Sequence, residues 1–239
     1  MPVCRGADRV KVYAPLKVAL ISTGDEIVRP GNPLGKGQVY DSNHHLLRGL
    51  SQTVGADVAD YGVIADRRED VEQAVAQAAE ECNVILTTGG ASRGEADFIV
   101  ETIQTLGSLH AWQLAVKPGR PLAMGQVGDC VFFGLPGNPV AVMLTFQQFV
   151  RPALRYLGGG KWPRPLIVKA RSETALKKRA GRFEFVRGIL SYDSAGDLSV
   201  RPLVTDTGVD PEAMVNAYLL EEQAQSGKLG PGIDGVLRR

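Results

Sequence analysis

Three loops of the chain combine glycine, hydroxyl and carboxylate residues at points where a buried strand is predicted to give way to a helix. They span residues 22–26, 87–97 and 134–139. In an open α/β sheet, ligands bind beyond the carboxyl ends of the strands, so loops of this kind can converge on one site. We therefore expect a pocket at this edge for an anionic, phosphate-bearing ligand.

A fourth loop carries positive charge. Lys117 and Arg120 flank Pro118 and Gly119, and Pro121 follows. Proline restricts this loop, so its two cations are pre-positioned for a small oxyanion or a phosphate group. A solvated basic turn explains these residues equally well when they are taken alone.

Three acidic residues, Glu26, Asp66 and Asp97, follow predicted strands. Taken singly they have ordinary explanations, because Asp66 suits a solvated turn and Asp97 suits the positive end of a helix dipole. Carboxylates gathered beside phosphate oxygens would repel them unless a hard cation such as Mg²⁺ lay between. If the sheet brings the three together, they are candidate metal ligands and catalytic residues.

The glycines of these loops suggest how a ligand approaches the backbone. Gly24 allows a close approach after the first strand, and Gly89 with Gly90 can form a concave nest of N–H groups that binds anions. Pro139 suits the first turn of a helix, and helix amino termini attract anions. Ordinary turns remain the alternative for each motif by itself.

Alternation of strands and helices positions these loops. Continuous apolar runs at 17–23 and 83–88 predict strands buried on both faces, and further strands are predicted at 57–64, 110–116, 121–127 and 130–135. Helices are predicted at 42–54, from 71 to 82, and at 96–106 and 139–157. The pattern indicates an α/β domain with a mainly parallel sheet between helices.

A glycine-rich stretch at 158–160 is the best candidate for a linker. Beyond it, strands predicted at 166–173, 183–192 and 198–204 indicate an antiparallel hairpin and a small β domain. The predicted domains are therefore 12–160 and 161–239, and the tail from 206 onward gives no clear pattern.

Composition excludes several functional classes. The net charge of +1 gives no overall attraction to nucleic acid or to a membrane, and the most apolar stretch is too short and broken to span a bilayer. The three cysteines are widely scattered, with neither metal-ligand spacing nor an even disulfide set, which favours a reducing cytoplasm.

Six ordered motifs together resemble the molybdopterin molybdenumtransferase family, which is related to the E domain of gephyrin. The resemblance covers about residues 12–203. Its motifs are Ser-Thr-Gly-Asp-Glu at 22–26, Asp-Ser-Asn at 41–43, Thr-Gly-Gly-Ala-Ser-Arg-Gly-Glu-Ala-Asp at 88–97, Lys-Pro-Gly-Arg-Pro at 117–121, Leu-Pro-Gly-Asn-Pro at 135–139 and Gly-Arg-Phe-Glu-Phe at 181–185. It implies a three-layer α/β/α molybdopterin-binding domain followed by a small β-barrel-like domain.

The resemblance also implies a reaction and its participants. Molybdate and adenylylated molybdopterin (molybdopterin-AMP) are the substrates, molybdenum is placed on the dithiolene, and AMP is released with the help of Mg²⁺. A molybdopterin adenylyltransferase is the implied partner, and a homodimer is the implied assembly. The family carries two further domains before the α/β domain, whereas about fifteen residues precede it here; a separate chain supplying those domains is one explanation.

The resemblance and the loop chemistry give one set of candidate residues. Glu26, Asp66 and Asp97 are the candidate catalytic and metal-binding acids. The candidate substrate-binding residues are Ser22, Thr23, Gly24, Asp25, Thr88, Gly89, Gly90, Ser92, Lys117, Arg120, Pro121, Pro136, Gly137, Asn138, Pro139 and Arg182. Two alternatives stay open: the adenylyltransferase that precedes this step, and a non-catalytic molybdopterin-binding module.

Overall fold

The computed structural model describes residues 8–89, 98–162, 167–174, 183–192, 194–202, 217–220 and 234–238. The chain divides into two compact units. The first comprises Met1–Trp112 and Ala123–Pro163, and the second comprises Gln113–Leu122 and Arg164–Arg239. Within the described ranges, no helix combines the length and the apolar character that crossing a bilayer requires.

The first unit alternates strands and helices. Its elements in chain order are β1 (Lys17–Thr23), β2 (Ile27–Val28), β3 (Val39–Tyr40), α1 (Ser42–Gln52), β4 (Asp57–Ile64), α2 (Arg68–Glu81), β5 (Val84–Thr88), α3 (Phe98–Leu106) and β6 (Ser108–Trp112), then β8 (Ala123–Val127), β9 (Cys130–Leu135), α4 (Pro139–Thr145) and α5 (Arg151–Leu157). The strand β7 (Val116–Lys117) lies between β6 and β8 in the chain but belongs to the second unit.

Six strands of the first unit form one sheet in the order β4-β1-β5-β9-β8-β6. The first four run parallel, and β8 and β6 are antiparallel additions. The parallel strands β1 and β5 are buried almost throughout, which explains why their sequences are apolar without alternation. The predicted mainly parallel sheet is therefore confirmed.

Helices cover both faces of this sheet. On one face, α2 and α3 pack on a core that includes Ile21, Ile85 and Phe132. On the other face, α1 packs against α4, with Leu47 fully buried. This three-layer α/β/α arrangement confirms the fold class that the sequence predicted.

The long helix predicted at 139–157 is interrupted. Between α4 and α5, residues Phe146–Val150 form a π-helical turn, and the Arg151 N–H donates to the Phe146 carbonyl five residues earlier. Pro152 explains the interruption, because it has no N–H for the carbonyl four residues before it and its ring crowds that carbonyl.

The second unit is a small β domain. Its remaining strands are β10 (Ile167–Ser172), β11 (Phe183–Tyr192), β12 (Leu198–Pro202), β13 (Ala217–Leu220) and β14 (Asp234–Arg238). They pair in the order β12-β10-β14-β13-β11, and β12 also pairs with β11, so the pairings form a closed ring. This ring agrees with the β-barrel-like domain implied by the resemblance.

Residues 113–122 leave the first unit, although they lie inside the predicted first domain. Gln113 has a φ of 67°, which ends β6, and β7 then pairs in parallel with the start of β11 through Val116 and Phe183. A strand predicted to run from 110 to 116 is therefore divided between two sheets.

Replacing Phe132 with alanine is expected to destabilise the first unit severely. The ring is fully buried among α2, α3 and the sheet, and removing a buried phenylalanine costs about 3–5 kcal/mol through lost burial and the cavity left behind. Urea unfolding followed by circular dichroism measures the loss. Gln104→Ala, at an exposed position of α3, is the control and should change stability little; equal effects of the two variants would contradict this account.

Candidate functional site

Four parallel strands end at the same edge of the first sheet. Ser22 of β1 lies opposite both Val63 of β4 and Thr88 of β5, and Thr88 lies opposite Leu135 of β9. The loops that follow these strands therefore begin side by side. The sequence predicted this convergence for the loops after residues 23, 88 and 135. The segment after residue 64 begins at the same edge, and all four segments belong to the first unit.

Buried hydroxyl groups line the ends of β1 and β5. The side-chain oxygens of Ser22, Thr23 and Thr87 are buried and have no hydrogen-bond partner among the described residues. A buried polar group without a partner costs about 1–3 kcal/mol. Because ligands bind at this edge of the sheet in folds of this class, these hydroxyls are candidate hydrogen-bond donors to a ligand.

Two glycines shape the same edge. Gly24 has a φ of 130° and Gly89 a φ of 91°, a region that side chains with a Cβ atom rarely adopt. A Cβ atom on Gly89 would collide with the backbone carbonyl of Thr23. Gly89 therefore lets the ends of β1 and β5 approach closely. The neighbouring candidates Gly90, Ser92 and Asp97 lie outside the described residues.

The structure brings three carboxylates together at the ends of β1 and β4. The Asp66 N–H donates to Asp25 Oδ1 over 3.4 Å. The pKa of Asp66 is raised. The larger cause is partial burial of the Asp66 carboxyl group, and the negative charges of Asp25 and Glu26 add to it. Asp25, which was predicted only to bind substrate, is thus a member of the acidic group along with Glu26 and Asp66.

Two arginines next to Asp66 in the chain do not neutralise it. Arg67 pairs with Asp70 of α2, and Arg68 pairs with Glu101 of α3. Within the described ranges, none of the three gathered acids forms an ion pair with a cationic side chain. This end of the sheet therefore keeps a net negative charge that a bound cation would relieve.

The described ranges contain no group of three or more His, Cys, Asp or Glu residues arranged to hold a metal ion. Asp97 lies outside them, so the ligand set Glu26, Asp66 and Asp97 stays a prediction. The chemistry of the two described members fits Mg²⁺, because this ion prefers carboxylate oxygens and here two such groups repel each other.

The loop after β9 is fixed by hydrogen bonds rather than left open. Pro136 is buried, and Asn138 Oδ1 accepts from the N–H groups of Val140 and Ala141, which caps α4 ahead of Pro139. The carbonyl of Gly137 accepts a hydrogen bond from the Asn43 side chain over 2.7 Å. The Oδ1 atom of Asn138 therefore caps the helix, so any contact of this side chain with a ligand would be made by its amide nitrogen.

Asn43 is a residue of this edge that the sequence analysis did not select. Its Nδ2 also donates to Thr88 Oγ1 over 2.8 Å, so it joins α1 to the ends of both β5 and β9. The sequence signal was the Asp-Ser-Asn motif, of which Asp41 serves as the N-cap of α1 by accepting from the His44 N–H. An Asn in the first turn of a helix, two residues after the capping residue, is the sequence pattern that could have revealed it.

The basic candidates belong to the second unit. Lys117 pairs with Glu184 over 3.6 Å, and Arg120 contacts the Gln113 side chain over 3.4 Å. The Arg120 carbonyl accepts from the Leu114 N–H, which closes the loop 114–120, and also from the Leu122 N–H on the far side of Pro121. Arg182 lies outside the described residues.

Replacing Asp66 with asparagine is expected to stabilise the chain at neutral pH. A raised carboxyl pKa means that the folded state holds the proton more tightly than the unfolded state does. The stabilisation from that proton is complete below the unfolded pKa and is lost as pH rises through the folded pKa. The asparagine variant does not suffer this loss, so its advantage should disappear in acid.

Urea midpoints from about pH 3 to about pH 7 test the Asp66 prediction. The control is Asp129→Asn, which removes an exposed carboxylate from the turn between β8 and β9. If both variants change stability with the same dependence on pH, the environment of Asp66 is not the cause of the effect.

Replacing Gly89 with alanine is expected to destabilise the first unit and to disturb its carboxyl edge. A matched control exists in Gly55, which has a φ of 79° but no atom within 4 Å of an added Cβ. Gly55→Ala should cost about 1–2 kcal/mol from backbone conformation alone. Gly89→Ala should cost more, because the methyl group also displaces the Thr23 carbonyl; equal losses in denaturant unfolding would refute the close approach.

Comparison with known proteins identifies the family and the relatives to which this chain is similar. The family described as "Probable molybdopterin binding domain" matches residues 19–156. The chain is 39% identical over 197 residues to the molybdopterin molybdenumtransferase of Haemophilus influenzae, covering 82% of this chain and 49% of the relative. It is 35% identical over 187 residues to the molybdopterin molybdenumtransferase of Nostoc, covering 76% and 43%.

A solved structure extends the similarity to both units. The molybdopterin biosynthesis MoeA protein from Pyrococcus horikosii superimposes with a TM-score of 0.76 at 26% identity, covering 94% of this chain and 54% of that one. The chain thus spans about half the length of the curated relatives it matches. From the match over 19–156 and these relatives, we conclude that the chain belongs to the molybdopterin-binding domain family, among relatives named molybdopterin molybdenumtransferase.

Proposed function

We propose that the chain inserts molybdate into adenylylated molybdopterin and releases AMP, as a molybdopterin molybdenumtransferase does. The observation that carries this proposal is the carboxyl edge of the first sheet. There, buried hydroxyls with no partner in the described part of the chain lie at strand ends next to a group of three carboxylates. A phosphate-bearing ligand accompanied by a cation satisfies both features at once. The names of the relatives support the choice of ligand.

The hydroxyls and glycines of this edge suit the phosphate part of the substrate. Ser22, Thr23 and Thr88 can donate hydrogen bonds to phosphate oxygens, and hydrogen bonds to a charged group contribute about 1.5–3 kcal/mol each. Gly24 and Gly89 have no side chain to obstruct a ligand, and both adopt positive φ angles that favour glycine. These residues would bind and orient the adenylylated end of the substrate.

The carboxylates suit a divalent cation. Glu26 and Asp66 would hold Mg²⁺, together with Asp97 as the motif predicts. Bound there, the ion would neutralise phosphate charge and relieve the repulsion by Asp25 and Glu26 that, after partial burial, raises the pKa of Asp66. Asp25 supports the group by accepting the Asp66 N–H, which fixes the end of β4.

The basic loop of the second unit suits molybdate, which is a doubly charged oxyanion. A unit charge about 4 Å from another contributes about 4 kcal/mol in surroundings typical of a protein surface. Lys117 shares its charge with Glu184, whereas the contact of Arg120 is with the neutral Gln113 side chain. Arg120 is therefore the stronger candidate for the oxyanion.

A non-catalytic molybdopterin-binding module is the second candidate. It is favoured by the match to a family described as a binding domain. The proposal for the whole assembly includes a homodimer in the cytoplasm, an adenylyltransferase that supplies the substrate, and a separate chain that supplies further domains.

One assay separates the candidates. The chain is incubated with adenylylated molybdopterin, molybdate and Mg²⁺, and AMP release is followed. Release that depends on molybdate supports the transferase, and tight binding without release supports the module. Adenylylation of free molybdopterin by ATP would instead identify the adenylyltransferase, and the absence of both binding and turnover would refute the proposed function.

Replacing Arg120 with alanine is expected to raise the molybdate concentration needed for half-maximal AMP release by about 10- to 100-fold, which corresponds to one charge-assisted hydrogen bond. Arg120→Lys should lie between, because it keeps the charge but loses the planar fork. Arg155→Ala removes an exposed cation from α5 and is the control. A response to molybdate that is unchanged in Arg120→Ala would remove this residue from the proposed oxyanion site.

A further inference from the structure

Asn43 connects one helix to two of the loops that form the candidate site. It is the second residue of α1, and its side chain is 8% exposed. Its Nδ2 donates to Thr88 Oγ1 at 2.8 Å and to the Gly137 carbonyl at 2.7 Å. All three residues belong to the first unit.

The Gly137 carbonyl fixes the orientation of the Asn43 amide. A carbonyl oxygen can only accept a hydrogen bond, so the amide nitrogen must face it and the amide oxygen must face away. In that orientation Asn43 Oδ1 is buried without a hydrogen-bond partner among the described residues. An unsatisfied buried acceptor costs about 1–3 kcal/mol. The two hydrogen bonds that Asn43 Nδ2 donates offset this cost.

The bond to Thr88 determines where the threonine hydroxyl can point. Because Thr88 Oγ1 accepts a hydrogen from Asn43, its own O–H must be directed elsewhere. A hydroxyl that accepts a hydrogen bond also becomes a stronger donor, because hydrogen bonds in a chain polarise one another. Thr88 is the last residue of β5 and lies opposite Ser22 of β1, so this hydroxyl stands at the carboxyl edge.

We propose that Asn43 is a positioning residue, which orients and polarises the Thr88 hydroxyl so that it donates to a phosphate oxygen of the bound ligand. Gly137 holds the amide in place, and Thr88 makes the contact with the ligand. The inference rests on the proposed function, because it takes adenylylated molybdopterin as the source of the phosphate.

A double-mutant cycle tests whether Asn43 acts through Thr88. Dissociation constants for adenylylated molybdopterin with Mg²⁺ are measured for the wild-type chain, Asn43→Ala, Thr88→Val and the double variant. Each single substitution is expected to weaken binding by about tenfold, the equivalent of about 1.4 kcal/mol. The double variant should bind no more weakly than Thr88→Val alone, since Asn43 has no effect without the hydroxyl.

Two variants on the same helix control for general damage. Ser51→Ala removes a buried hydroxyl that has no partner in the described structure, and Leu47→Ala removes a fully buried apolar side chain. Leu47→Ala should lower stability by about 2–5 kcal/mol, yet below its unfolding temperature it should bind the ligand as the wild-type chain does. Loss of binding in Leu47→Ala equal to that in Asn43→Ala would mean that Asn43 only stabilises α1.

The outcomes separate this inference from the function on which it rests. A wild-type chain that binds none of the probe overturns the proposed function and this inference with it. If the wild-type chain binds the probe, two results overturn only the role of Asn43. One is an Asn43→Ala variant that binds as the wild type does. The other is a roughly hundredfold loss of binding in the double variant, as expected for two independent effects. Asn43→Asp gives a further check: it places a carboxylate against the Gly137 carbonyl, so binding like that of the wild type would contradict the proposal.

Discussion

Parallel pairing of the four strands β4, β1, β5 and β9 is the constraint on which the candidate site depends. Because parallel strands must be joined by crossover connections, each carboxyl end opens into a loop on the same edge of the sheet. The register then sets which residues become neighbours, and it places Ser22 between Val63 and Thr88. Polar residues from four loops that are distant in sequence are thus brought together by strand pairing, and the fold does not depend on contacts between the loops themselves.

The composition of the strands shows how this edge can keep polar groups without partners. In β1 the residues Val18–Ile21 are apolar and almost completely buried, whereas the polar Ser22 and Thr23 follow at the end. Burying one large aliphatic side chain contributes about 1.5–3 kcal/mol, and leaving a buried hydroxyl unpaired costs about 1–3 kcal/mol. The apolar part of β1 therefore offsets the cost of its polar end, where the hydroxyls have no hydrogen-bond partner among the described residues.

Strands and helices that are indicated by the pattern of their own residues were predictable from the sequence. The strands β1, β4, β9 and β11 begin and end where they were predicted, because a strand that packs on a core needs apolar residues within its own sequence. The strands β13 and β14 in the tail gave no signal, since they are short and are held by pairing with β11 and β10. Residues 113–122 were assigned by pattern to the first domain, but their partner in pairing, β11, is distant in sequence.

The same distinction applies to the candidate site. Gly89 was selected from the sequence because consecutive glycines after a buried strand can form an anion-binding nest; its φ of 91° shows in addition a backbone conformation that favours glycine. Asn43 was not, because its role arises only when α1 packs across the ends of β5 and β9 and brings its amide to Thr88 and Gly137. Asp25 entered the acidic group in the same way, through a hydrogen bond from the end of a neighbouring strand. Residues that connect separate loops are therefore recognised only in the packed structure, where their hydrogen bonds join the helical layer to the edge of the candidate site.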